Sequence, residues 1–166
     1  MTLATILAVG NIAALGYLGY RANQLSRVAA NAQLLSVLWS EYDRVQTARM
    51  HAQDLAFVPF WFSQRQDDAD ISPVYGWVAE YLTTQKPLPV GIDDEIEKTI
   101  QKHFWDMVVG ISEKAWASDK GAVRKRVAVL GDALTAYYQV CDANSADLKG
   151  KMTLLKTTLA KHTKRR

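Results

Sequence analysis

Charge is missing from the first 20 residues of this 166-residue chain, although Asp, Glu, Lys and Arg make up 22% of the whole sequence. Glycine and proline are missing between Gly19 and Pro59, so nothing in that stretch interrupts a helix. Cysteine occurs once, at Cys141, which excludes an intrachain disulfide and fits a reducing compartment. These absences favour an apolar N-terminal segment that continues into a long helix.

Catalytic and cofactor motifs are also missing. The sequence has no phosphate-binding glycine loop, no cysteine cluster and no Ser/His/Asp grouping with motif spacing. We therefore assign no catalytic, cofactor or metal residue. The formal charge of +3 is too small to indicate nucleic-acid binding, and sequence-specific binding is not expected. Charge is unevenly distributed, because residues 63–100 are mainly acidic and residues 145–166 mainly basic.

Residues 2–20, TLATILAVGNIAALGYLGY, have the length and character of a transmembrane helix. Nineteen helical residues rise about 28 Å, which matches the hydrocarbon core of a bilayer. Tyr17 and Tyr20 lie at one end, where aromatic rings prefer the membrane interface. The alternative, a cleaved signal peptide, needs a positive region before the apolar run and a small-residue cleavage site just after it. Because both features are missing, we predict a retained anchor.

Charge also predicts the orientation and the pairing of this helix. No Lys or Arg precedes the segment and four Arg follow it (21, 27, 44 and 49), which predicts an outside N-terminus and a cytoplasmic C-terminal part. Small and polar residues could let two such helices approach closely, although Gly and Ala are common in any membrane helix. The candidate packing positions are Ala4, Ala8, Gly10, Asn11 and Ala14.

Helical periodicity predicts an all-α fold in which the anchor continues into a long helix and then a small bundle. Apolar residues recur at helical spacing through residues 25–55, and Pro59 is expected to end that helix at Val58. The expected segments are an anchor (1–20), a long juxtamembrane helix that ends in an aromatic corner (21–62), an acidic, proline-containing connector (63–91), a pair of amphipathic helices (92–141) and a basic C-terminal segment (142–166). Within the connector a short helix is expected at residues 73–84. The amphipathic helices are expected at residues 92–117 and 122–141, and the basic helix at residues 145–163.

Two surfaces could contact a partner. The run Leu55–Phe62 has eight residues without a polar side chain; Phe57, Phe60, Trp61 and Phe62 could form a docking surface or simply fill a core corner. The basic tail carries Lys161, Lys164, Arg165 and Arg166, which could bind an anionic membrane surface or nucleic-acid backbone, or could be solvated. In the last case Leu148, Met152, Leu155 and Leu159 would still pack inward.

Two His-x-x-Asp pairs, His51 with Asp54 and His103 with Asp106, place an imidazole and a carboxylate on one helix face. Helical metal-carboxylate bundles use Glu-x-x-His and additional Glu residues, which this sequence does not contain. Surface histidines with a nearby acid are therefore the favoured interpretation. A third function class, a helical-bundle metalloenzyme, would rest on these two pairs alone.

The stretch GYLGYRANQLSRVAANAQLLSVLWSEYDRVQTARMHAQDLAFV, with Glu41-Tyr42 and Arg49, resembles small bacterial single-pass membrane proteins of unknown function that have a juxtamembrane helical domain. The resemblance covers residues 16–58. It implies a protein of the bacterial inner membrane and no activity. We expect a non-enzymatic helical interaction protein, an accessory or scaffold subunit whose partners are the bilayer and a protein or a second copy. The alternative is a defence- or stress-type effector or sensor whose helical domain controls oligomerisation of the anchor.

Overall fold

The computed structural model describes residues 3–65, 70–84 and 86–163, with side chains from Ala14 onward except those of Glu113, His162 and Thr163. Over these ranges the chain is all-α, with six helices, a long N-terminal helix and no strand, so the predicted all-α class is confirmed. The helices are α1 (Leu3–Leu55), α2 (Phe57–Ser63), α3 (Ser72–Thr83), α4 (Asp94–Gly110), α5 (Glu113–Ser118) and α6 (Lys120–Thr163).

The long helix ends at Leu55, three residues before the predicted end at Val58. Pro59 is the cause, because it has no N–H to donate to the Leu55 carbonyl and its ring would collide with that carbonyl in a continuous helix. The chain turns at Ala56 and begins α2, where Pro59 lies in the first turn and needs no intrahelical donor. The aromatic run is therefore a helix of its own.

The short helix α3 lies close to its predicted bounds, with Pro73 in its first turn. Ile71 precedes it and is 3% exposed, although a polar loop is expected there from the sequence. The connector that follows is non-helical over residues 86–92, as expected from its two prolines. It is attached to α3 by the Tyr81 hydroxyl, which donates to the carbonyl of Pro87 at 3.1 Å. Burial, aided by the nearby Asp54 carboxylate, raises the pKa of Tyr81 to about 12.

The single helix predicted for residues 92–117 is two helices, α4 and α5. Asp93 caps α4, because its carboxylate accepts from the backbone N–H groups of Glu95 and Ile96. Ile111 and Ser112 are extended, and the Ser112 hydroxyl accepts from the N–H of Ala115 to begin α5. The predicted apolar stripe is buried, since Ile100, Phe104 and Met107 are at most 1% exposed. The extended backbone at Ile111 and the N-cap at Ser112 thus interrupt the helix, although the row of buried apolar side chains continues through Ile111.

The two helices predicted at 122–141 and 145–163 form one helix, α6. The polar residues Asp142, Asn144 and Ser145 suggest a break in the sequence because such side chains favour caps and turns. Here packing against α1 overrides that local preference. Gln46 of α1 donates to the Ser145 hydroxyl at 2.9 Å, and Arg49 pairs with Asp142 at 3.3 Å. In each pair the α1 residue number rises as the α6 number falls, so the two helices are antiparallel.

The chain divides into two compact units. Unit 1 comprises Met1–Glu41 and Leu148–Arg166, and unit 2 comprises Tyr42–Asp147. The core of unit 2 contains side chains from five helices that are at most 1% exposed, namely Ala52, Leu55, Val58, Val74, Ile100, Phe104, Met107, Val127, Leu130, Leu134, Tyr137 and Cys141. Burial raises the pKa of the Cys141 thiol.

Within unit 1 the end of α6 packs along α1. Met152 is 4% exposed, and Leu148, Leu155 and Leu159 are half-buried, so the predicted apolar stripe of the tail does face inward. On α1 the half-buried positions alternate in spacings of four and three, as in a coiled-coil seam: residues 24, 28, 31, 35 and 38. The Lys156 ammonium lies 4.9 Å from the ring centre of Trp39. Residue 156 of α6 is therefore opposite residue 39 of α1.

Gly131 of α6 lies close to Pro59 of α2. A Cβ at Gly131 would lie 3.1 Å from Cβ of Pro59, a rigid ring on the neighbouring helix. We expect Gly131→Ala to destabilise unit 2 by about 1 kcal/mol, because overpacking exceeds the gain in helix propensity. An added Cβ at Gly150, on the same helix, would meet no neighbouring atom of the described residues within 4 Å, so Gly150→Ala should stabilise by about 0.5–1 kcal/mol. Urea denaturation compares them, and stabilisation by both substitutions would contradict the contact.

Candidate membrane and partner surfaces

The first exposed surface is the N-terminal part of α1, where residues 14–23 are exposed on every side of the helix. Four large apolar or aromatic side chains are between 60% and 68% exposed: Leu15, Tyr17, Leu18 and Tyr20. No described residue outside the helix's own turn lies within 4 Å of an added Cβ at Gly16 or Gly19. A helix that is apolar all round is typical of a membrane span or of a buried core helix, whereas a solvated helix has a charged face.

Polar contacts begin where this apolar stretch ends. The Arg21 guanidinium lies 5.8 Å from the ring centre of Tyr17, and Gln24 donates to the Tyr20 hydroxyl at 2.6 Å. Tyrosine rings are enriched at membrane–water boundaries, and arginine is enriched in the cytoplasmic segments beside them. Of the predicted packing positions, Ala14 is exposed, and the side chains of Ala4, Ala8, Gly10 and Asn11 lie outside the described residues.

Among the described residues, no helix is both long enough and apolar enough to cross a bilayer.

The second surface is the basic end of α6. Lys161 is exposed, while Lys164, Arg165 and Arg166 lie outside the described residues. Because Lys156 meets Trp39 and the helices are antiparallel, Lys161 is level with about residue 34 of α1. Fourteen helical residues separate that level from Tyr20, or about 20 Å. The end of α6 thus points toward the charge-free segment of the chain.

The third surface is the aromatic corner, which the fold divides between core and solvent. Phe62 is 4% exposed and packs edge-on against Trp61 and Trp116, with ring centres 5.1 and 5.4 Å away. Phe57 is 37% exposed, and its ring stacks on that of Trp77, so Phe57 is partly buried. Phe60 is 65% exposed, and of the four aromatic residues it alone is mainly solvent-facing.

A groove of about 280 Å³ lies beside Phe60, between α2 and α6. It is lined by Ala56, Pro59, Phe60, Ser63, Gly131, Leu134, Thr135 and Tyr138. The hydroxyls of Ser63 and Thr135 donate to carbonyls of their own helices. The groove is shallow and mostly apolar, so it suits an apolar side chain of a partner better than a charged ligand.

The two His-x-x-Asp pairs remain separate. His103 Nδ1 lies 3.8 Å from an Asp106 carboxylate oxygen, a long contact between half-exposed groups. Asp54 instead lies 4.0 Å from the ammonium of Lys86. Among the described residues no three His, Cys, Asp or Glu side chains gather as metal ligands.

A carboxylate that is not among the sequence-based candidates, Glu97, organises the start of α4. It accepts hydrogen bonds from the backbone N–H groups of Gly91, Ile92 and Asp93, at 2.9, 2.7 and 3.1 Å. It also accepts from the Tyr137 hydroxyl of α6 at 3.0 Å. Gly91 has φ +89°, a left-handed conformation that glycine adopts at little cost. Burial and the bond to Glu97 raise the pKa of Tyr137.

Arg124 of α6 joins two other segments, the end of α2 and α5. Its guanidinium donates to the carbonyls of Phe62 and Arg65, at 2.7 and 2.8 Å, where α2 ends. The same group lies over the rings of Trp116 and Phe62, at 5.4 and 5.8 Å from their centres. A fork of donors and a flat cationic face suit arginine and not lysine. Glu97 and Arg124 are therefore structural groups, and the solvent-facing surfaces are the candidates for function.

No protein-family profile matches the chain, and no similar curated protein or solved structure is found.

Proposed function

We propose that this chain is a single-pass membrane-anchored helical interaction protein, an accessory or scaffold subunit rather than an enzyme. Residues 2–20 are the anchor, and the C-terminal part lies in the cytoplasm. The observation that carries the proposal is the exposure of Leu15, Tyr17, Leu18 and Tyr20 on all faces of α1. Side chains of this kind are stable in contact with lipid or protein, and large exposed apolar patches indicate such contacts.

Membrane fractionation of the full chain tests the anchor. We expect the protein to remain with the membrane after washes in high salt and at alkaline pH, because its anchorage is hydrophobic. Deletion of residues 2–20 should release it to the soluble fraction with its helicity retained. A full chain that washes off in salt would contradict the anchor.

A fusion reporter tests the orientation. A reporter placed after Arg166 should be active when it requires the cytoplasm and silent when it requires the outside, because the Arg residues follow the anchor. Exchanging Arg21 and Arg27 for Gln provides the control, since it should weaken the orientation bias without changing the apolar segment. Activity of the wild-type fusion only outside would refute a cytoplasmic domain.

The basic tail is proposed to bind the anionic leaflet beside the anchor. Lys161 lies within about 20 Å of the level of Tyr20 along α1, and electrostatic interactions extend over about 30 Å at 0.01 M salt. We expect Gln substitution of Lys161, Lys164, Arg165 and Arg166 to weaken vesicle binding at least tenfold in a chain lacking residues 2–20, because each basic residue near an anionic surface contributes about 1 kcal/mol. The melting temperature should stay nearly unchanged.

Co-sedimentation with phosphatidylglycerol-containing vesicles at low salt measures this effect. A matched control removes four exposed unit 2 lysines (Lys98, Lys102, Lys114 and Lys125) and should have a smaller effect. Equal weakening by the two sets would mean that net charge alone governs binding. Strong DNA binding at physiological salt would instead indicate a nucleic-acid partner.

A further inference from the structure

We propose that two copies of this chain pair in parallel through the exposed face of α1, with residues 15–36 of one copy against residues 15–36 of the other. The proposed face consists of Leu15, Leu18, Ala22, Leu25, Ala29, Ala32 and Ser36, here called the open seam. All seven residues are exposed, and the three leucines are 54–68% exposed.

The open seam has coiled-coil periodicity. Its spacings alternate between three and four residues without interruption over three heptads, and this 3.5-residue repeat is typical of a helix that supercoils around a partner. In the sequence the same alternation extends back through Asn11, Ala8 and Ala4. The repeat therefore crosses the boundary at Tyr20 without a change of register.

The end of α6 occupies a different face of α1. The half-buried seam in unit 1 (residues 24, 28, 31, 35 and 38) is offset from the open seam by one residue, or about 100° around the helix. Leu34, Val37 and Leu154 are exposed on other faces of this pair of helices but do not continue the repeat. Within the described part of unit 1, α6 thus lies along residues 31, 35 and 38 of the half-buried seam and leaves the open seam exposed.

The part of α1 that carries the open seam is poor in charge. Residues 15–40 include two charged side chains in 26, Arg21 and Arg27, although 22% of the whole chain is charged. Arg27 lies on the opposite side of α1 from the seam. Arg21 flanks it, and in a parallel pair the flanking position of the partner helix is Ser26, so no like charges meet.

A second copy is the occupant that this geometry favours. A coiled-coil partner must have the same repeat, and an identical helix has it by construction. In a parallel in-register pair, each of Ala22, Ala29 and Ala32 contacts the same residue of the other copy, and these small side chains permit close backbone approach. Leu18 and Leu25 fill the interface layers between them. The parallel direction rests on the proposed function, because two copies anchored by the same residues in one bilayer point the same way.

Site-specific disulfide trapping in native membranes tests the pairing. In a full-length Cys141→Ala background, Ala29→Cys should form disulfide-linked dimers on mild oxidation, because in-register seam residues lie within disulfide reach. Ala30→Cys is the matched control, since Ala30 is the same residue type, is also exposed and lies one position off the seam. We expect at least tenfold more dimer from Ala29→Cys, and comparable dimer from Ala22→Cys and Ser36→Cys.

Equal yields at positions 29 and 30, or no dimer at any seam position, would overturn the proposal. Crosslinking at a single seam position would indicate a crossing or antiparallel contact and would also overturn it. Ala29→Glu provides a second measurement: it should reduce the mass of the detergent-solubilised protein from two chains to one, whereas Ala30→Glu should not.

The same membrane fractions separate this proposal from the proposed function. A chain that stays in the membrane but does not crosslink refutes the open seam alone. A chain missing from the membrane refutes the anchor, and its crosslinking pattern in solution still tests the seam.

Discussion

Glu97→Ala is expected to lower the free energy of unfolding by about 3 kcal/mol, the largest effect of any single substitution considered. The Glu97 carboxylate accepts three backbone N–H groups and the Tyr137 hydroxyl. Hydrogen bonds to a charged acceptor contribute about 1.5–3 kcal/mol each. In the variant, water can partly replace the carboxylate as the acceptor for the N–H groups of residues 91–93. The Tyr137 hydroxyl, on a residue with no exposed surface, loses its partner outright.

Glu95→Ala is the matched control, because it removes the same charge from the same first turn of α4 at an exposed position. It should cost less than about 0.5 kcal/mol, which is the size of a helix-dipole contribution. Tyr137→Phe should cost about 1 kcal/mol, and the double variant Glu97→Ala/Tyr137→Phe should cost less than the sum of the two. Urea denaturation measures all four, and similar losses for Glu95→Ala and Glu97→Ala would contradict the role of Glu97.

Arg124→Met is expected to cost about 2 kcal/mol and to loosen the end of α2. Methionine retains much of the apolar stem but leaves the carbonyls of Phe62 and Arg65 without their donor and removes the cation from the ring of Trp116. Arg124→Lys should recover only part of the loss, because one ammonium cannot reproduce the two-donor fork.

Lys125→Met is the control for Arg124→Met, since Lys125 is the next residue of α6 and is exposed. It should change stability by no more than about 0.5 kcal/mol. Limited trypsin digestion gives a local readout: cleavage after Arg65 should accelerate in Arg124→Met and not in Lys125→Met. Unchanged cleavage in Arg124→Met would mean that these two hydrogen bonds do not hold that segment.

The helical faces can be predicted from sequence because they depend on spacing alone. In the two segments predicted to be amphipathic, apolar residues recur at helical spacing, and six of them are buried: Ile100, Phe104 and Met107 on α4, and Leu130, Leu134 and Tyr137 on α6. Helix ends are predicted less well. The end at Leu55 depends on a proline four residues away, and the continuity of α6 through Asp142 depends on contacts with Gln46 and Arg49.

The structural groups cannot be found from sequence because their partners are distant in the chain. Glu97 reaches Tyr137 forty residues away, and Arg124 reaches Phe62 sixty-two residues away. A local signal exists for Glu97, since a glycine and an aspartate precede an acidic first turn, as in reciprocal N-terminal capping. No such signal exists for Arg124, because its acceptors are backbone carbonyls, which every residue has.

The rate at which a reagent modifies the single thiol, Cys141, can measure how often the core of unit 2 opens. Cys141 has no exposed surface in the core of unit 2, and burial raises its pKa, so both access and ionisation slow its reaction. A thiol reagent can modify it only when α6 separates from its neighbours. When the core recloses faster than the reagent reacts, the modification rate of Cys141 divided by the modification rate of a fully accessible thiol gives the equilibrium constant for this opening. The rate at which unmodified protein disappears thus reports the stability of the core without any introduced label.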